Sequence, residues 1–189
     1  LFRSSFHYET RAILLNCENR VPVTSKKDYA GGIVGRMDLG YILDCRNYGN
    51  VESTDGSYVG GIAGSSASTI RRSQSKCMAS GKNFVGGIAG DGYNLTENLA
   101  FVSIGDGEMY CGAIAGRVDD EGEISSNRFV ENGSAGIDGV SYAGKAEPIS
   151  YESLMAEENV PEEFGKFTLT YIADDTLAGR VSCKYGEPL

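Results

Sequence analysis

The sequence predicts an all-β chain: a β-solenoid of four to five coils, then a short capping helix and a C-terminal β-hairpin. A heptad-like phrase recurs as Tyr29-Ala-Gly-Gly-Ile-Val-Gly35, Tyr58-Val-Gly-Gly-Ile-Ala-Gly64, Phe84-Val-Gly-Gly-Ile-Ala-Gly90 and Tyr110-Cys-Gly-Ala-Ile-Ala-Gly116, with isoleucines 29, 26 and 26 residues apart. Self-similarity at a near-fixed spacing is the mark of a repeat architecture. A second column runs in step with it: Ile42-Leu-Asp-Cys45-Arg-Asn47, Ile70-Arg-Arg-Ser73-Gln-Ser75, Leu95-Thr-Glu-Asn98-Leu-Ala100 and Ile124-Ser-Ser-Asn127-Arg-Phe129. Within each unit, several glycines and short alternating runs argue for strands and against the 3.6-residue periodicity of helical repeats.

Taken in order, the chain opens inside a repeat, because Leu14-Leu-Asn-Cys17-Glu-Asn19 carries the second column without a preceding glycine phrase. Cys45 to Val51 and Asn98 to Ile104 alternate as half-buried strands do, and Asp55-Gly56, Gly81 and Asp106-Gly107 supply the closing turns. Strands of this kind with no helix between them wind most simply into coils that pair with their neighbours, about 4.8 Å apart, giving a stack ~20–25 Å tall. Tyr142-Ala-Gly144-Lys-Ala reads as a fifth copy that decays before its isoleucine. Beyond it, Ser150 to Asn159 has the residues of a short acidic helix that would cap the last coil, and Pro161 follows. Phe167 to Ile172 and Leu177 to Tyr185, joined through Asp174-Asp175, form a hairpin too small to fold alone. The expected organisation is therefore 1–145 for the coils, 146–165 for an acidic linker and capping helix, and 166–189 for a partial β module.

The phrase Tyr/Phe-x-Gly-Gly-Ile-x-Gly, followed by Ile-x-x-Cys/Ser/Asn-x-Asn and a glycine turn, resembles the GLUG-type repeats of bacterial surface proteins over roughly residues 12 to 145. Such repeats occur as noncatalytic segments of large secreted or wall-attached proteins, among them IgA-cleaving metallopeptidases and adhesins. The resemblance implies a right-handed β-helix, an extracellular setting and a longer parent chain; it implies no particular activity. Lys184-Tyr-Gly-Glu-Pro-Leu189 resembles the opening half of small β-grasp-like repeat modules of the same class of proteins.

The formal charge of −9, from 17 Lys plus Arg against 26 Asp plus Glu, disfavours nucleic-acid binding. No apolar run approaches the length of a membrane-spanning helix. His7 is the only histidine, there is no Cys-x-x-Cys, no Gly-x-Ser-x-Gly elbow and no metallopeptidase histidine motif, so no cofactor and no nucleophile–histidine chemistry is implied. Cys17 and Cys45 share one slot of the repeat, continued by Ser73, Asn98 and Asn127. That slot reads as a ladder of small side chains at a corner. A Cys17–Cys45 disulfide is conceivable there, and the odd count of five cysteines favours stacked free thiols.

Two readings compete for the aromatic column Tyr29, Tyr58, Phe84, Tyr110 and Tyr142: an exposed platform for sugar rings, or an inward ladder holding coils in register. Strand parity favours the second, since Tyr29, Gly31 and Ile33 would face one way. Asp119-Asp120-Glu121-Gly122-Glu123 reads as a solvated loop that matches neither calcium-binding spacing, and Asp91 and Asp106 as turn residues. Arg71, Arg72 and Arg117 are the basic residues a sugar-cleaving β-helix enzyme would need beside its acids. The sequence thus favours a noncatalytic spacer or adhesive segment, with a carbohydrate-active hydrolase or lyase as the alternative. Candidate contacts to a glycan or protein ligand are Tyr58, Tyr110, Arg36, Asp91, Tyr93 and Arg117.

Overall fold

A computed structural model describes residues 11–105, 107, 109–139 and 142–188; His7 and Asp106 lie outside the described residues. The chain divides into two compact units, Leu1–Ile149 and Ser150–Leu189.

The first unit is a parallel β-solenoid of about four turns. The turns wind over three sheets, some laying two short strands on one sheet, as Val34–Met37 and Gly40–Leu43 do on the first. One sheet is ordered through Ala12–Leu15, Gly40–Leu43, Ala63–Arg71, Ala89–Thr96 and Ala115–Val118. The second runs through Glu18–Asn19, Arg46–Asn47, Gln74–Ser80, Leu99–Ile104, Asn127–Val130 and Ala146–Ile149, and the third through Ala30–Gly31, Val59–Gly60, Asn83–Gly86 and Met109–Gly112. Pairing is in register from copy to copy: Ala63 faces Ala89, which faces Ala115, and Ile42 faces Ile70, which faces Leu95. Equivalent apolar residues therefore pile up in columns. Ile62, Ile88 and Ile114, and Ile42, Ile70 and Leu95, are fully buried.

The glycine phrase is explained by close approach of backbone to backbone. A Cβ on Gly31, Gly60, Gly86 or Gly112 would collide with the carbonyl oxygen three residues ahead in the same turn. That constraint is internal to a coil, and all four copies keep glycine. The second glycine meets a different wall: a Cβ on Gly32, Gly61 or Gly87 would strike the carbonyl of Gly61, Gly87 or Ala113 in the next coil. Only the fourth copy departs, with Ala113, because the segment above it is built differently. In the lower coils an isoleucine carbonyl takes two amides of the coil below, as Ile114 does from Ile88 and Ala89 at 2.8 and 3.1 Å. Above Ala113 that part is played by Gly136, which takes the amides of Ile114 and Ala115 at 2.8 and 3.3 Å.

The fifth copy is thus centred on Ala135-Gly136-Ile137, and the sequence expectation for Tyr142-Ala-Gly144 is corrected. The carbonyls of Gly144 and Lys145 take the amides of Ser126 and Asn127 at 3.0 and 3.3 Å, at the corner between the first and second sheets. Tyr142 does not extend the aromatic column; its ring tilts against Phe129 with centroids 6.0 Å apart. A Cβ on Gly136 would meet both rings at 2.8 Å, so they close the core where a fifth isoleucine side chain would have stood.

Non-glycine residues with positive φ turn two of the corners. Asn16, Asp44, Arg72, Glu97 and Ser126 have φ of 54, 54, 48, 57 and 56° between the first and second sheets. One residue after them come Cys17, Cys45, Ser73, Asn98 and Asn127. Asn127 Oδ1 accepts from the amide of Asn98 at 3.1 Å, Asn98 Oδ1 from Ser73 at 2.9 Å, and Ser73 Oγ from Cys45 at 3.2 Å. The ladder of small side chains is therefore a chain of cross-coil amide caps, which gives buried corner amides their acceptors.

In the second unit, a helix spans Tyr151–Met155, with Ser150 Oγ accepting from the amide of Ser153, and a 3₁₀ turn covers Glu162–Gly165. Lys166–Ala173 and Thr176–Lys184 pair as the antiparallel hairpin anticipated from sequence, turned by Asp174 and Asp175 at φ of 47 and 58°. Tyr151 meets Phe167 and Tyr185 edge-on and donates its hydroxyl hydrogen to the Phe164 carbonyl at 3.1 Å.

Candidate functional site

The residues singled out from the sequence converge on one corner of the solenoid and the face beside it. Tyr29 and Tyr58 immediately precede strands of the third sheet and Phe84 and Tyr110 are the second residues of theirs, with φ of 68, 64, 56 and 58°. A left-handed residue breaks strand alternation, so the parity argument for inward rings fails here. The isoleucines point into the core while the rings stand outside it as a stack. Centroids lie 4.9, 4.6 and 4.7 Å apart along the stack, with planes within 16° of parallel. That spacing is the coil repeat itself. The two faces of Tyr58 and of Phe84 are each covered by a neighbouring ring, leaving their edges to solvent. Tyr110, the last ring, is 37% exposed.

Beside the stack, at the start of the first sheet, lies a column that varies between copies: Ser65 is in register with Arg36 below and Asp91 above, and Asp91 with Arg117. Arg117 donates through Nε and Nη2 to both carboxylate oxygens of Asp91, at 2.9 and 2.8 Å, and its guanidinium lies 5.0 Å from the centre of the Phe84 ring. The bond to Asp91 holds the Arg117 proton more tightly than usual. At the lower end, Arg36 donates to Asp38 at 2.7 Å and sits 5.3 Å from the Tyr29 ring centre. Asp91 is a strand residue paired across coils, not the turn residue its composition suggested.

A cleft of about 670 Å³ opens along this face, between Ser65–Ala67, Asp91–Tyr93 and Arg117–Glu121. Three of the predicted residues, Asp91, Tyr93 and Arg117, line it; Tyr58 and Tyr110 belong to the adjoining stack, and Arg36 lies outside the cleft. The acidic loop read as merely solvated forms the cleft's rim, where the Asp119 amide donates to the Gly92 carbonyl at 3.0 Å and Asp119 Oδ1 accepts from the Glu121 amide at 2.9 Å. Its signal in the sequence was the extra length between Gly116 and Ile124. Ser65 and Ser66 belong to the positions that vary from copy to copy, alongside Arg36-Met37, Asp91-Gly92 and Arg117-Val118, and register places them opposite Asp91 and Gly92.

Arg71 and Arg72 are elsewhere, at the corner between the first and second sheets. Arg72 donates to both oxygens of Asp44 at 2.8 Å, and Arg71 pairs with Glu97 in the next coil. Among the described residues no three of the His, Cys, Asp and Glu side chains are grouped to hold a metal ion. The cleft can offer a polyol or polar peptide a fixed array: a guanidinium–carboxylate pair, a phenol and two serines. Comparison with family models, curated proteins and solved structures finds no match.

Proposed function

We propose that this chain is a noncatalytic repeat segment of a bacterial cell-surface protein, a spacer whose side cleft adheres to a host or cell-wall glycan or to a protein. The observation that carries the reading is the pairing of Arg117 with Asp91 across coils. A lyase or hydrolase of β-helix architecture needs a basic group or a pair of carboxylates turned toward the scissile bond. Here the arginine and an acid of the cleft bind each other in bidentate fashion, which suits a preformed recognition surface. The likeness of the repeats to GLUG-type surface repeats supports the extracellular setting, and so does the alternation of separately solvated charge pairs along the corners.

The test is a glycan and matrix-protein array probed with wild type, Arg117→Ala, Tyr93→Ala and, as a distant control, Arg71→Ala. Binding by wild type and Arg71→Ala that is lost in the other two supports the cleft. Release of reducing ends or unsaturated sugars from any polysaccharide by the wild type would overturn the noncatalytic reading.

A further inference from the structure

We propose that Cys17 and Cys45 form a cross-coil disulfide site, oxidised by a small-molecule disulfide such as glutathione disulfide, that fastens the first described coil to the second. The register makes the pair. Leu15 faces Leu43 on one side of it and Glu18 faces Arg46 on the other, so Cys17 and Cys45 occupy the same level of adjacent strands. Strands in a sheet are separated by about 4.8 Å, which lies inside the Cα separation of about 4.4–6.8 Å that a disulfide bridges, and the Cβ atoms need to close by only a few tenths of an ångström to come within the bridging limit of about 4.5 Å.

The sulfur of Cys45 is directed toward the coil below, donating to the Leu14 carbonyl at 3.5 Å as well as to its own Leu43 carbonyl at 3.3 Å. Higher in the same column, Ser73, Asn98 and Asn127 each place an oxygen on the amide of the coil below. At the two lowest positions thiols stand where those oxygens do. None of the other cysteines has such a neighbour: Cys77 faces Val102, Cys111 faces Val85 and Cys183 faces Phe167. All five are free thiols in the structure.

The exchange balances as two thiol–disulfide steps. The Cys17 thiolate, the more accessible of the two, attacks one sulfur of glutathione disulfide and expels one glutathione thiolate. The Cys45 sulfur then attacks the Cys17 sulfur of the mixed disulfide, and the second glutathione leaves, so the protein pair loses two electrons and two protons and two glutathione thiols form. Burial pushes the Cys45 thiol up, which lowers the share of thiolate available for the second step. Burial also pushes the Cys77 thiol up, to about 11, and it should stay reduced throughout.

The experiment incubates the native full chain with glutathione disulfide, quenches with an alkylating reagent, and maps the peptides by mass, alongside Cys17→Ser. Serine is already an occupant of this column at Ser73, so the variant should fold. The expected result is loss of two alkylatable thiols, a linked Cys17–Cys45 peptide, and a rise in the thermal midpoint of about 5–10 °C that dithiothreitol reverses and that Cys17→Ser lacks. A persistent glutathione adduct on Cys17 with Cys45 still alkylatable would overturn the proposal. So would both thiols remaining free, a bridge between molecules, or a bridge that leaves the midpoint unmoved.

Discussion

Replacing Gly61 by alanine is the sharpest test of how the coils are spaced. The added methyl would lie 2.1 Å from the Gly87 carbonyl oxygen and 2.1 Å from Ser75 Oγ. The serine hydroxyl can rotate away, but the carbonyl is backbone of the next coil. A carbon and an oxygen tolerate about 3 Å at closest approach, so the two coils must part locally by about 0.9 Å. Gly61, Ile62 and Ala63 donate across this same gap, each at 3.0 Å, to Gly86 and to the Ile88 carbonyl. Opening it stretches those three bonds past useful length, at about 1 kcal/mol each, and adds overpacking strain of about 1–3 kcal/mol. The expected loss is about 4–6 kcal/mol, read as a fall in the urea midpoint of the strand signal by circular dichroism. The reverse exchange, Ala113→Gly, relieves no clash and adds chain freedom, so it should cost only about 0.5–1 kcal/mol. A Gly61→Ala loss below about 1 kcal/mol would refute the claim that coil-to-coil contact, not turn geometry, fixes this glycine.

Two further expectations follow from the corners. Asn98 is buried, caps the Ser73 amide and donates to the Ile70 carbonyl at 3.0 Å, so Asn98→Ala should cost about 3 kcal/mol while Asn98→Ser costs less than half of that; equal losses in urea titrations would sink the capping account. Asp44 is held below its ordinary value of 3.8 chiefly by the hydrogen bonds from Arg72. A depressed carboxylate pKa contributes stability above the unfolded value and loses it as pH falls through the folded one, so this increment is present at neutral pH and disappears below about pH 4. With both partners substantially exposed the effect on stability is small, and the better readout is a carboxyl NMR titration, in which Arg72→Gln should raise the Asp44 midpoint and added salt should narrow the difference.

The core and its periodicity were legible because they are written by identity: an isoleucine every 26 to 29 residues can only be a column if the coil is the unit. The Cys/Ser/Asn column was legible for the same reason, down to its role in binding backbone groups. The aromatic column was legible as a column but not in its direction. Tyr29, Tyr58, Phe84 and Tyr110 adopt positive φ, which no residue type among them announces, and one such residue reverses the inside and outside of a strand. The fifth copy was misplaced because Tyr142-Ala-Gly144 repeats the letters, whereas Ala135-Gly136-Ile137 takes the hydrogen bonds.

By itself, then, the sequence determined that the chain winds, how many residues each turn uses, and which side chains fill the centre, since these follow from local patterns repeated along one dimension. Tertiary structure alone decided that Arg117 is held by Asp91 and that Tyr93 and the Asp119–Glu121 rim share a cleft with Ser65. Each of these joins residues about one turn or more apart, and a shift of a single residue in register would separate them all.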